Sequence, residues 1–341
     1  MAAVAAENQD SMAKMPSVFM AGKIGGEVKT IKVKKSDANG AELLIVTPKA
    51  QGSYPVLLFC HGYSTQTTWY SHLLQHISSH GYIVVAPQVS SFALSLSLSL
   101  SLSLSLSLSL MLLLPPCMQF YHCLLISLTD EIKIAAKVTN WLPSGLQDSL
   151  PDNIKPDLSK LAIMGHSRGG KIAFALALGH APTSLKFKAL FGLDPVSGPT
   201  PPTWVEPNIL SYVPHSFKLS IPIGVIGTGL SNRTNNYVFP PLAPNGFNHS
   251  EFFNESRPPC CYFLAKDYGH CDFLNDSKTG LAGLVCRSGK GSKEKMRRGV
   301  GGIVVAFLNA YLGGGFEDLE NIVAAPDIAP ITLDPVIHIK E

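Results

Sequence analysis

Leu161-Ala162-Ile163-Met164-Gly165-His166-Ser167-Arg168-Gly169-Gly170-Lys171 decides how the rest of this 341-residue chain is read. The four leading apolar residues predict a strand, and Lys171 to Leu178 predicts a helix. Gly-x-Ser-x-Gly between a strand and a helix is the setting of a nucleophile elbow. The turn is so sharp that the serine is lifted clear of the sheet. Small residues two positions before and after it let neighbouring backbone approach. The stretch therefore predicts Ser167 as a catalytic nucleophile. A glycine-rich turn without chemistry is the competing reading.

Working outward, short apolar runs alternate with helical patterns. Val28 to Lys34 and Ala41 to Thr47 read as strands joined at Asp37-Ala38-Asn39-Gly40. Tyr54 to Cys60 and Tyr82 to Ala86 are continuous apolar runs, as in strands buried on both faces. Between them Thr67 to His80 reads as a helix, closed by Gly81. Thr129 to Leu142 is a further helix, with Thr129 as its N-cap. Phe187 to Leu193, Ile221 to Ile226 and Cys261 to Ala265 read as the remaining strands. Lys295 to Leu312 reads as a closing helix that Gly299, Gly301 and Gly302 loosen. The alternation predicts an α/β fold with a mostly parallel, doubly wound sheet flanked by helices. Residues 1–22 read as a flexible N-terminus, 23–312 as one domain, and 313–341 as a Pro-rich tail without clear periodicity.

A serine hydroxyl needs a histidine to take its proton and an acid to orient that histidine. On this type of sheet the chain order is Ser, acid, His. His270 lies just past the strand ending at Ala265 and is the expected base. His249 is its main rival, while His61 and His166 sit on the wrong segments. No Asp or Glu occurs between Glu206 and Glu251, so the loop Gly227 to Tyr237 cannot supply the acid. Asp194 remains, at the end of the preceding strand; a turn-forming Asp-Pro is its plainer explanation. Asp267 and Asp272 lie too close to His270 in sequence. An oxyanion hole needs two backbone N–H groups. Arg168, after the nucleophile, is expected to give one. The loop His61-Gly62-Tyr63-Ser64 should give the other, from Tyr63 in preference to Ser64.

Apolar residues make up 46% of the chain, enough for a sizeable core, and a net charge of +3 argues against a nucleic-acid binder. The seven cysteines show neither zinc-ligand spacing nor a disulfide framework. Met1 to Pro16 has neither the apolar core of a secretory signal nor the arginines of a transit peptide. The four Asn-x-Ser/Thr sequons at Asn232, Asn248, Asn254 and Asn275 are therefore read as chance.

Leu94 to Leu110 alternates leucine and serine without a break and runs into Met111-Leu112-Leu113-Leu114-Pro115-Pro116. A strand with one leucine face would fit the alternation, and the length approaches a membrane span. The many serines and the two prolines weaken the second reading. A CT dinucleotide repeat encodes Ser-Leu indefinitely. Residues 89–128 are therefore read as a translated repeat interrupting the domain, and an aggregation hazard if exposed.

Several blocks together resemble plant chlorophyllases, members of the α/β-hydrolase superfamily. They are Gly165-His166-Ser167-Arg168-Gly169-Gly170-Lys171, Gly192-Leu193-Asp194-Pro195-Val196, Ile226-Gly227-Thr228-Gly229-Leu230, Asp267-Tyr268-Gly269-His270 and Gly301-Gly302-Ile303-Val304-Val305-Ala306-Phe307-Leu308. The resemblance runs from about Lys23 to Pro335, apart from residues 89–128. It implies hydrolysis of the phytyl ester of chlorophyll to chlorophyllide and phytol, without metal or cofactor. It places Ser167, Asp194 and His270 as nucleophile, acid and base, in agreement with the residue-level choice. An apolar cleft for the phytyl tail is implied, with Phe247, Phe252, Phe253 and Pro240-Pro241 as candidate wall residues. Core packing is the plainer role for each. The basic stretch Arg287, Lys290, Lys293, Lys295, Arg297 and Arg298 is a candidate for peripheral membrane contact, against the plainer reading of a solvated loop.

The substrate implies a chloroplast location, with cytosol or endoplasmic reticulum as alternatives. A general carboxylesterase or lipase acting on other apolar esters, or a non-catalytic hydrolase-fold protein inactivated by the insert, are the competing functional readings.

Overall fold

A computed structural model describes residues 16–32, 40–89, 128–198, 206–234, 241–276 and 286–341. The Asp37-Ala38-Asn39 turn, the Leu94–Leu110 tract, Cys117, Cys123 and Pro240 lie outside these residues.

Among the described residues nine strands form one sheet: β1 (Gly26–Lys32), β2 (Glu42–Pro48), β3 (Gly52–Cys60), β4 (Ile83–Pro87), β5 (Ile154–His166), β6 (Ala189–Leu193), β7 (Ile223–Thr228), β8 (Cys260–Ala265) and β9 (Leu333–Ile339). Their spatial order is β1-β2-β4-β3-β5-β6-β7-β8-β9. The block from β4 to β8 is parallel, whereas β1, β2 and β9 add antiparallel edges. The helices are α1 (Ser71–Ser79), α2 (Leu128–Gly145), α3 (Arg168–Ala177), α4 (His249–Asn254), α5 (Lys293–Leu308) and α6 (Glu317–Ala324). This is the α/β-hydrolase fold, a mixed and mostly parallel sheet with helices on both faces.

Strand periodicity divides the core into two layers. Leu44, Val46, Leu57, Phe59, Val84 and Met164 face α1, α5 and the N-terminal turn at Val18 and Phe19. Leu43, Ile45, Val56, Leu58, Val85 and Ile163 face α2 and α3. Burial on both sides explains the unbroken apolar runs in the central strands.

Three expectations need correction. Residues 313–341 are not an unstructured tail: they carry α6 and then β9, which pairs antiparallel with β8 and closes the sheet edge. Polar alternation and Pro335 hid that edge strand, since edge strands tolerate proline and face water on one side. Second, the glycines of α5 do not loosen it. A Cβ at Gly301 would strike the His76 ring and one at Gly302 would strike Phe19, so both serve close packing inside a continuous helix. Third, the N-terminal region packs from residue 16 onward, with Val18 and Phe19 buried under α5. The suspect stretch 89–128 is also bounded by core residues, for Val89 and Leu128, the first residue of α2, are both buried in the layer between α2 and the sheet.

Candidate active site

The C-terminal ends of adjacent parallel strands converge on one spot. Ser167 follows β5 and Asp194 follows β6; Thr228 ends β7, and His270 lies on the loop after β8. Ser167 has φ 56° and ψ −125°, the strained conformation of a sharp strand-to-helix turn. Its carbonyl accepts from the N–H groups of Gly170 and Val196, and its own N–H donates to Leu193, so the surrounding backbone holds the strain in place. A Cβ at Gly165 would collide with the Gly169 carbonyl, and one at Gly169 with the carbonyls of Cys60 and His61. The flanking glycines are what the close passage of three backbones requires.

Ser167 Oγ lies 2.8 Å from His270 Nε2, and His270 Nδ1 lies 2.7 Å from Asp194 Oδ2. A carboxylate only accepts, so Nδ1 carries the proton and Nε2 presents its lone pair to the serine hydroxyl. Asp194 is fully buried and itself at φ 41°. Its carboxylate also accepts from Thr228, at 2.7 Å from Oγ1 and 3.2 Å from the backbone N–H. Burial pushes the Asp194 carboxyl up, and the His270 hydrogen bond and charge, with help from His249 and Thr228, more than reverse this. The group therefore sits below the ordinary carboxylate range and is ionised near neutrality.

His249, the rival base, is on the far side of Asp194: its Nε2 is 3.7 Å from Oδ1, and its Nδ1 is 2.8 Å from the Tyr262 hydroxyl. It is buried, and no contact joins it to Ser167 among the described residues. Asp272 does not face the His270 ring. Its Oδ2 accepts from the N–H groups of Gly269 and Gly289, pinning the loop that carries His270. Asp267 is exposed.

The loop after β3 approaches Ser167 from the other side, where a Cβ on Gly62 would lie 3.4 Å from the serine Cβ. His61 Nδ1 and Thr65 Oγ1 both donate to the Gly62 carbonyl, each at 2.7 Å. His61 Nε2 accepts from the Val89 N–H at 3.1 Å and the Gln88 amide at 3.0 Å. Burial lowers His61 to about 4, so it is a neutral strut and not a base. The Arg168 guanidinium lies 5.1 Å from the centre of the Tyr63 ring, which brings the two expected oxyanion residues side by side.

Other expectations fare differently. Phe252 is core, fully buried edge-on to Phe174, and does not line a cleft. Phe253 stacks on Tyr262, and Phe247 is half-buried beside Tyr212. The basic stretch is not one surface. Arg297 is buried in a bidentate pair with Asp276, and Arg298 binds Glu294 and the Phe19 carbonyl. Arg287, Lys290 and Lys295 are exposed. Contrary to the reading that no disulfide is suggested, Cys271 and Cys286 are bonded, with Cα atoms 6.2 Å apart. Their spacing carries no signature; the pairing arises because the loop after β8 returns beside the segment before α5. Among the sequons, Asn248 and Asn275 are buried.

Residue-level reading gave no role to Thr228, Tyr70 or Glu131. Thr228 had a signal, a β-branched hydroxyl between two glycines at a strand end. Glu131 had none, because its partner Arg168 is remote in sequence.

The chlorophyllase family profile matches residues 14–99 and 111–340. The gap is narrower than the expected 89–128 and falls within the Leu-Ser tract. Chlorophyllase-1 of Arabidopsis thaliana is 41% identical over 304 residues, spanning 87% of this chain and 84% of that protein. Chlorophyllase-2 of the same plant is 42% identical over 289 residues, spanning 82% and 80%. A Citrus unshiu protein named Chlorophyllase-1, chloroplastic, is 42% identical over 303 residues, spanning 87% and 80%. With this match across most of its length, on a sheet of this topology, the chain belongs to the chlorophyllase family.

Proposed function

We propose that this chain is a carboxylic ester hydrolase that cleaves the phytyl ester of chlorophyll through Ser167, His270 and Asp194. The observation that carries the reading is the unbroken hydrogen-bonded line from Ser167 Oγ through His270 to Asp194, in a chain belonging to the chlorophyllase family.

His270 Nε2 takes the Ser167 proton as Oγ bonds to the ester carbonyl carbon. The carbonyl π electrons move to oxygen, giving a tetrahedral oxyanion. Collapse breaks the bond to the phytyl oxygen, which leaves with the proton from His270 as phytol. Water then attacks the acyl-enzyme, giving its proton to His270, and a second collapse releases chlorophyllide and restores Ser167. Asp194 stays ionised throughout and stabilises the imidazolium.

The oxyanion is assigned to the backbone N–H groups of Tyr63 and Arg168. Support for Tyr63 comes from its own peptide. The Gly62 carbonyl is turned toward His61 and Thr65, and in a trans peptide the following N–H points the opposite way. Arg168 opens α3, where the helix N-terminus favours negative charge. One such donor is worth ~10²–10³ in turnover.

A plastid location is part of the proposal, supported by the chloroplastic name of the Citrus unshiu relative. So is peripheral contact with a pigment-bearing membrane through Arg287, Lys290 and Lys295.

The test is hydrolysis of chlorophyll a beside p-nitrophenyl butyrate, with Ser167→Ala as control. Serine-dependent chlorophyllide release is the expected result. Activity on the simple ester alone would replace the reading with a general carboxylesterase.

A further inference from the structure

We propose that Tyr70 and His166 are positioning residues for this acyl transfer, forming one buried relay that sets the oxyanion loop, the nucleophile strand and the base in register. The inference rests on the triad reading above.

His270 is the one triad member that no strand end sets in place. Ser167 and Asp194 each follow directly on a strand, but His270 lies several residues beyond the end of β8 at Ala265. Its ring can be aligned only if its loop is gripped from outside. Asp272 pins the loop beside the base, and His166 grips the base's own backbone: its Nε2 lies 2.9 Å from the His270 carbonyl oxygen. A carbonyl only accepts, so His166 Nε2 carries the proton.

This fixes every other proton in the chain of contacts. Burial holds His166 neutral, lowering it to about 3. Its Nδ1 is therefore an acceptor, and the Tyr70 hydroxyl, 2.8 Å away, donates to it. Tyr70 oxygen in turn accepts from the Gly62 N–H at 3.1 Å. The relay runs Gly62 N–H to Tyr70 O–H to His166 Nδ1, and His166 Nε2–H to the His270 carbonyl. One end is the peptide preceding the expected Tyr63 donor. The other is the backbone of the catalytic base.

The rings are clamped as well as bonded. Tyr70 is fully buried and packs edge-on to Phe59, with ring centres 4.9 Å apart. His166 packs against Phe273 at 5.0 Å and the His270 ring at 4.7 Å. Buried, fully satisfied polar chains of this kind rigidify the groups they connect. Here those groups belong to the backbone that carries the reacting ones, and a small misplacement of the latter is costly in rate.

Three variants test the relay. His166→Phe keeps a ring but removes the donor; His166→Gln restores an amide N–H where Nε2 stood; Tyr70→Phe deletes one oxygen. On p-nitrophenyl butyrate, His166→Phe is expected to lower kcat by ~10–100-fold. KM should move by less than about twofold, because binding is untouched. His166→Gln should recover most of the loss, and Tyr70→Phe should lower kcat by roughly tenfold. Circular dichroism at the assay temperature verifies that each variant is folded. The proposal is overturned if folded His166→Phe or Tyr70→Phe keeps the parent kcat, or if His166→Gln is as slow as His166→Phe. Ser167→Ala separates the two levels. If it leaves activity intact the triad reading has failed. If it abolishes activity while the relay variants match the parent, only the positioning role falls.

Discussion

Arg168 donates from Nε to a Glu131 carboxylate oxygen 2.6 Å away, with the two side chains only 9% and 8% exposed. The pair joins α3, whose first residue follows Ser167, to α2, the first described element after the Leu-Ser tract. The same guanidinium covers the Tyr63 ring. A single buried charge pair thus ties α2 to the start of α3 and to the Tyr63 loop.

Removing one partner leaves the other charge stranded. Glu131→Leu is expected to destabilise the protein by about 3–5 kcal/mol, as typically follows from breaking a buried pair. Glu131→Leu combined with Arg168→Met should cost much less than the sum of the single changes. Urea midpoints of the four proteins would measure this, and additive losses would mean the pair is not coupled.

Thr228 donates to Asp194 from both its hydroxyl and its backbone N–H. Thr228→Val keeps the shape and deletes one donor to a buried carboxylate, a bond worth about 1.5–3 kcal/mol. We expect kcat on p-nitrophenyl butyrate to fall by roughly tenfold with KM nearly constant, the pattern of a lost transition-state interaction. A rise in KM at unchanged kcat would instead assign Thr228 to substrate binding.

Excising residues 94–110 should raise soluble yield. Unbroken leucine at alternate positions is an aggregation hazard in any partly folded chain. Val89 and Leu128 must be spared, because both belong to the core and the Val89 N–H holds His61. Activity per folded molecule and yield are compared with and without the tract. Equal yields would show that the repeat is harmless.

Acid sensitivity should appear well above the usual carboxylate range. Burial lowers His61 and His76 to about 4 and His166 to about 3, whereas the unfolded chain protonates them near 6.5. Between those values the unfolded state binds more protons, so the histidines' contribution is full above 6.5 and is lost as pH falls. Asp194 adds its own loss only at lower pH, since its folded value lies below 3.8. Lys171, lowered by burial from 10.5 to about 7, gives a further gain as pH rises between those values. Urea midpoints at pH 7, 6 and 5 should decline in order, and a flat series would contradict the buried neutral histidines.

Apolar runs at Tyr54 to Cys60 and Leu161 to Met164 imply doubly buried parallel strands, because only such strands lack a polar face. Gly-x-Ser-x-Gly between a strand and a helix singles out Ser167, since the elbow needs small neighbours and an exposed serine. The barren stretch between Glu206 and Glu251 left Asp194 as the candidate acid. These are local facts, set by short-range sterics and by which residue types exist where.

Tertiary structure decided what depends on distance between remote segments. The triad candidates span positions 167 to 270, and only the alignment of β5, β6, β7 and β8 brings the His270 ring within 3 Å of both Ser167 and Asp194. His61 and His166 look like stray histidines in the sequence; burial and their partners make them neutral struts. The edge strand β9, the Cys271–Cys286 bond and the Arg168–Glu131 pair left no readable spacing. Each joins separate segments of the chain, from 15 positions apart for the disulfide upward, and such contacts are fixed by tertiary packing and not by the pattern of any one stretch.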